Sequence, residues 1–332
     1  MKLTRIVHLL FIIFISFGLL LIPGCAKKEE KEKEITNKES LLQSSIQSGG
    51  IYRVPLMNNP TTLDPAYAQD IYAISVIHQL FDCLVRFDHY LTVLPALAET
   101  WKVEEGGKVY RFILRENIRF HNGKPVTVED VIFSIGRLLL VDPSPAPLPH
   151  LLKISGAQAY REHKTDRIKG LEPIDDRVLL VRLEEPHAPF LTAMGMYQAA
   201  IVPKEEVNRL ENKFGQNPIG SGPFRFVSWE RNKSIHLERF PAYYAGESFL
   251  KKIYFLLYPG GKIDDALADF KAGKLQEMPV YGNIQQELSS QSELQWFHRP
   301  SLSLLFYGIR GNHPLLKHPE VRKALSLSID RE

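Results

Sequence analysis

The chain has 332 residues, 44% hydrophobic and 24% charged, a globular composition long enough for two medium domains or three small lobes. Its 22 prolines and 21 glycines follow no short period, which excludes collagen-like and low-complexity classes. A formal charge of +3 over evenly mixed signs argues against a nucleic-acid partner, and two cysteines exclude a disulfide scaffold or a four-cysteine zinc site.

Lys2 and Arg5 precede an apolar run from Leu9 to Ile22. At about 14 residues it matches a signal-peptide core and falls short of the ~20 a spanning helix needs. Ile22-Pro23-Gly24-Cys25 then resembles a bacterial lipobox, with Pro23 departing from the usual residue. The expectation is a signal peptide over 1–24 and a lipid attached to Cys25; an uncleaved anchor, or secretion with cleavage elsewhere, is the alternative. Either way the body is exported, and lipidation leaves Cys83 as a lone thiol. Residues 25–47 are a tether, since the Lys/Glu alternation at 27–39 buries nothing.

From Gly49 on, short strands alternate with helices, an α/β or mixed α+β class. Ile51–Leu56 reads as a strand. Asp70 is placed to cap a helix carrying Ile71, Ile74, Ile77 and Phe81. Trp101–Val103 and Val109–Leu114 flank a hairpin turn at Glu104–Gly107, and Tyr110, Phe112 and Leu114 share one face. Thr127 with Asp130 predicts a capping box opening a helix with Val128, Val131, Ile132, Ile135 and Leu139. The proline-rich stretch 142–149 is expected to be irregular. Strands follow at Val178–Leu183, Phe224–Trp229, Ile235–Arg239 and Ile253–Tyr258, the middle pair turning at 230–233. Ile263, Ala266, Leu267 and Phe270 predict a helix stopped by Gly273, and Pro319 opens a last one with Val321, Leu325 and Ile329. The chain then stops at Asp330-Arg331-Glu332 without a turn or cap, which reads as an interruption.

Catalytic patterns are missing. There is no Gly-x-Ser-x-Gly and no His-Glu-x-x-His, and Gly260-Gly261-Lys262 lacks the rest of a phosphate loop. Pro314 and Pro319 prevent His313 and His318 from aligning as metal ligands. His121 beside Asn122-Gly123 reads as a turn or packing residue. Glu184 and Glu185 are adjacent on a strand end and face opposite ways. Arg111, Arg115 and Arg119 are interleaved with aromatics, a weak signal among so many acidic residues.

Several blocks nevertheless occur together in one order. They are Thr62-Leu63-Asp64-Pro65, Leu84–Asp88, Leu94–Trp101, Phe120–Val131, Gly220-Ser221-Gly222-Pro223-Phe224, Ala272-Gly273, and Val321–Leu325 with Ile329–Glu332. This arrangement resembles the family 5 extracellular solute-binding proteins, the oligopeptide- and dipeptide-binding subunits of ABC importers, from about Gly50 to the last residue. Lys274-Leu275-Gln276 departs from the family, as does the early stop.

The resemblance implies a three-lobed periplasmic-binding-protein-like fold of type II. Lobe I would comprise 48–83 and 201–271, lobe II would be an insertion at 84–200, and 272–332 would begin an incomplete lobe III. It implies hinge closure on a peptide or similar small solute, no bond chemistry, no cofactor, and delivery to membrane permease subunits. Nickel, haem, opine or sugar ligands stay open within the family; an exported hydrolase, or a sensor or regulator role, is the alternative outside it. Location would be periplasmic or cell-surface, anchored to the bilayer by lipid, and the protein monomeric. Tyr67, Tyr72 and Ser75 from the first loop and helix, and Ser221 and Gly222 at the lobe crossing, are the candidate ligand contacts. Each block also has a packing explanation as a turn or close approach. With one complete wall, the chain is expected to bind ligand poorly and to expose the apolar stripe of its last helix.

Overall fold

The computed structural model describes residues 48–280, 282–298 and 308–330. The predicted signal peptide, the tether and Cys25 lie outside the described residues, as do Arg331 and Glu332. Among the described residues, no helix is long and apolar enough to cross a membrane. The chain divides into a unit ending at Met278 and a second from Pro279 on.

The first unit is built on two four-stranded sheets. Strands β1 (Gly49–Leu56), β8 (Phe224–Glu230), β9 (Ser234–Arg239) and β10 (Leu250–Leu257) form one, in the order β1-β10-β9-β8. Within it β1 runs parallel to β10, and the other pairs are antiparallel. The register of β8 on β9 shifts between Phe226 and Ser228. Strands β4 (Ala98–Glu104), β5 (Val109–Leu114), β6 (Leu171–Pro173) and β7 (Val178–Arg182) form the other sheet, antiparallel throughout and ordered β4-β5-β7-β6. A small hairpin, β2 (Val85–Phe87) with β3 (Val93–Pro95), precedes it.

Each large sheet has its own core. Helix α1 (Ile71–Leu80) covers the first sheet, with Leu63, Val76, Ile77, Leu80, Phe214, Ile235 and Leu237 essentially inaccessible. Helix α2 (Val128–Leu140) covers the second, where Phe112, Leu114, Val131, Leu138 and Leu139 are buried. Each fully buried side chain of that size contributes about 2 kcal/mol of transfer free energy. Short helices α3 (Leu148–Leu151), α4 (Ala157–Arg161) and α5 (Phe190–Ala193) close the second core, and α6 (Lys204–Leu210) follows.

Local signals form as expected. Asp70 caps α1 by accepting from the Ala73 amide at 2.7 Å, and Thr127 and Asp130 make both arms of a capping box on α2. The hairpins at 104–107 and 230–233 form, and Gly273 ends α7 (Ile263–Lys271) at φ 72°. Three expectations need correction. The buried face of α1 is Ala73, Val76, Ile77 and Leu80, whereas Ile71 is 69% exposed. The stretch 142–149 is not wholly irregular, because α3 starts at Leu148 with Pro149 in its first turn, where proline's missing N–H has no partner to lose. The last helix, α9 (Pro319–Leu327), stops short of Ile329.

Along β1 runs the segment that ends the first unit. The Gln276 amide donates to Arg53 O at 3.0 Å, the Arg53 amide donates to Gln276 Oε1 at 2.7 Å, and Tyr52 donates to Glu277 Oε2 at 2.9 Å. Burial, with Glu277 as acceptor, pushes the Tyr52 phenol up to about 12. The second unit contains α8 (Asn283–Leu288) and α9 (Pro319–Leu327). None of the α9 side chains is buried, and Leu325 is exposed.

Candidate functional site

Parallel β1 and β10 end side by side, Leu56 opposite Leu257. The crevice beyond the carboxyl ends of parallel strands is where open α/β sheets place ligands. Three segments frame it. The loop 57–70 leads into α1, the β8–β9 turn stands beside it, and Tyr258–Lys262 leads into α7. Asn59 and the turn residue Asn232 bond reciprocally: Asn59 Nδ2 donates to Asn232 Oδ1 at 2.6 Å, and the Asn232 amide donates to Asn59 Oδ1 at 2.8 Å. Arg231 stacks on Trp229 at 3.9 Å and donates to Pro60 O. Asp70 accepts from both the amide and hydroxyl of Thr61, so the helix cap also fixes the loop. A cavity of about 700 Å³ opens here, lined by Asn232, Leu257, Tyr258, Lys262, Asp265 and Asp269 among others. Tyr258 and Lys274 both donate to Asp269, at 2.9 and 2.7 Å. The Lys274 bond holds the Asp269 carboxyl below its usual range, and burial pushes the Tyr258 phenol up. The cavity thus has a rigid polar floor.

The five candidate ligand residues fall in three places. Tyr72 is half-buried and Ser75 exposed on α1, where Ser75 donates to Ile71 O at 3.0 Å. Tyr67 is 48% exposed and lies elsewhere, in a separate cavity of about 610 Å³ shared with Thr62, Asp64, Phe133, Arg137 and Tyr160. Its ring stands 5.3 Å from the Arg137 guanidinium. Ser221 is 1% exposed, and Gly222 is buried against the end of α1, its amide donating to Leu80 O at 2.9 Å. A Cβ on Gly222 would meet Gln79 O at 2.7 Å, so this glycine serves a close approach of backbone to helix.

Between the two cores the sequence hid three polar joints. Asp64, in the loop before α1, pairs with Arg137 of α2 through both carboxylate oxygens, one arm at 2.7 Å. His121 sits where the Gly220–Gly222 segment passes: the Gly220 amide donates to Nδ1 at 3.2 Å, and Nε2 donates to Gly222 O at 3.1 Å. That pattern fixes the neutral Nε2–H tautomer, and burial lowers the imidazole to about 4. Asp82, just past α1, is pushed up to about 7 by burial, with Tyr243, Tyr244 and Arg86 opposing the shift. Capping-box logic finds α2, but no local signal points to Arg137's partner 73 residues earlier.

The His121 joint makes stability pH-dependent. Its folded pKa lies below the unfolded 6.5, so the unfolded chain binds more protons between pH 6.5 and 4. The contribution is complete above pH 6.5 and falls by about 3 kcal/mol as pH drops to 4. Asp82 runs the other way, its raised pKa favouring the folded state below neutrality. Urea midpoints measured from pH 4 to 7 should therefore show parent chain losing stability relative to His121→Gln on acidification; parallel profiles refute the assignment.

Comparisons with known proteins agree with this architecture. The family model described as bacterial extracellular solute-binding proteins, family 5 Middle, matches residues 92–332, more than half of the chain. The oligopeptide-binding protein AppA of Bacillus subtilis is 27% identical over 86% of this chain and 51% of its own length. A probable di/tripeptide-binding protein of Pseudomonas aeruginosa is 30% identical over 76% of this chain and 49% of its own. The solved structure of B. subtilis AppA in complex with a nonapeptide matches with a TM-score of 0.75 at 25% identity, covering 87% of this chain and 55% of that one. The fold is therefore that of the periplasmic binding proteins, and the chain spans about half the length of the curated relatives it matches.

Proposed function

Since the chain belongs to the bacterial extracellular solute-binding proteins of family 5, we propose that it contributes to capturing a peptide or similar small solute, which an ABC permease then takes up. The observation that carries this reading is the likeness to AppA, whose solved structure holds a nonapeptide. The framed crevice at the ends of β1 and β10 supports it, because an extended solute needs a fixed wall with polar groups at hand. In this reading 48–83 and 201–271 form lobe I, 84–200 form lobe II, and 272–332 begin lobe III. Ser75, exposed on α1, and Tyr72, half-buried beside it against the first core, are the contacts we retain for the solute. Tyr67 serves the Arg137 joint, and Ser221 and Gly222 serve the close approach. The solute leaves chemically unaltered. The protein works as a monomer outside the cytoplasm, held to the membrane by a lipid on Cys25.

The test is a titration of the chain with a mixture of di- to nonapeptides, followed by amide resonances. Saturable shifts in the millimolar range are expected at Ile71, Tyr72 and Ser75, with every peptide recovered intact by mass spectrometry. Absence of shifts at the solubility limit of the peptides, or recovery of cleaved peptide, overturns the reading.

A further inference from the structure

Away from the sheet-end crevice, two histidines 37 residues apart meet on the second core's surface. His150 Nδ1 lies 2.8 Å from His187 Nε2, with ring centroids 5.1 Å apart and planes at 31°. Both side chains are half-exposed. Their backbones are fixed. His150 belongs to α3, whose Leu148 and Leu151 are buried, and its amide donates to Pro147 O at 3.0 Å. His187 O accepts from the Tyr110 hydroxyl at 3.3 Å and from the amide of Phe190, a fully buried residue.

We propose that His150 and His187 form a two-imidazole site for a late first-row divalent cation, Cu²⁺ ahead of Ni²⁺ and Zn²⁺. The argument is geometric. Two nitrogens 2.8 Å apart, each about 2.0 Å from a shared ion, subtend about 90° at that ion. A right angle suits the tetragonal coordination of Cu²⁺ and Ni²⁺; tetrahedral Zn²⁺ needs about 3.3 Å between the same atoms. Imidazole is a donor these ions accept, and Cu²⁺ leads the affinity order.

In the ion-free protein one N–H bridges the pair, so one ring donates and the other accepts. Ion entry moves that proton to the far nitrogen of its own ring, freeing both facing lone pairs, and each ring tilts by about 45° so that its lone pair turns from the N···N line onto the shared ion while the nitrogens keep their separation. No proton is released while both imidazoles are neutral. Among the described residues no third histidine, cysteine or carboxylate completes a cluster, so water fills the other positions. Lys153 is paired with Glu185 at 2.6 Å, and Glu184 accepts from the Gly156 amide.

The test uses the 332-residue chain carrying His313→Gln and His318→Gln, which removes the two histidines nearest each other in sequence. Titration with Cu²⁺ under electron paramagnetic resonance should show one ion with splitting from two imidazole nitrogens. His150→Gln and His187→Gln should each weaken binding by about tenfold or more, and Zn²⁺ should bind more weakly than Cu²⁺. Unchanged affinity in both variants, loss in only one, or no Cu²⁺ bound by the parent overturns the site. A second measurement needs no variant of the pair: paramagnetic broadening should centre on Leu148–Leu151 and residues 185–190, and broadening centred elsewhere overturns the proposal.

Discussion

Replacing Arg137 by alanine is expected to destabilise the chain by about 3–5 kcal/mol. The pair with Asp64 is nearly dry, with side-chain exposures of 14% and 7%. Tyr67 and Phe214 flank the guanidinium at 5.3 and 5.9 Å. Without Arg137, Asp64 keeps only backbone donors such as the Ala66 amide, and a carboxylate is left in a medium that solvates it poorly. Asp64→Ala should cost a similar amount by stranding the cation. Because most of each loss is the penalty on the surviving partner, the double variant should lose less than the sum, with a coupling of about 1–3 kcal/mol. Urea unfolding of the four chains measures all of this. Single variants within about 1 kcal/mol of the parent would show that water reaches the pair.

Gly220→Ala should be worse, at more than about 4 kcal/mol or outright loss of soluble protein. The added Cβ would lie 1.9 Å from Leu80 O and 2.8 Å from both the Leu80 carbonyl carbon and the Phe81 ring. Two of those atoms are backbone at the end of α1, so no rotamer change relieves the contact. The same segment carries the His121 joint, which would be displaced with it. Gly215→Ala offers a graded comparison. There the first clash is Thr62 Oγ1, the end of a side chain that can turn away, so the loss should be about 1–3 kcal/mol. Thermal unfolding of both variants against the parent decides the order; equal small losses would mean that the segment can retreat from the helix.

What the sequence made legible was local. Asp70, Thr127 with Asp130, and the Glu-Glu-Gly-Gly turn each act within four residues, and each forms as read. The family blocks were legible for the same reason, being runs of neighbours. The face of α1 was misread because the larger Ile71 and Ile74 outweigh Ala73 in any hydrophobic pattern, whereas the buried face runs through Ala73, Val76, Ile77 and Leu80. Gly220-Ser-Gly222 was ambiguous in principle. A bare backbone invites a ligand or a helix equally, and here the segment lies against Leu80 O. The Asp64–Arg137 and His150–His187 pairs span 73 and 37 residues, and no local rule connects them.

The segment lying along β1 has a consequence for how the molecule behaves among its own copies. An unpaired strand margin is a template for polymerisation, and this sheet has two margins. On one of them Gln276 answers both the donor and the acceptor of Arg53. The other, β8, is bent by its register shift and studded with Arg225 and Glu230. A protease that nicked the chain ahead of Lys274 would unmask the first margin alone, and fibrillar stacking would then start from β1.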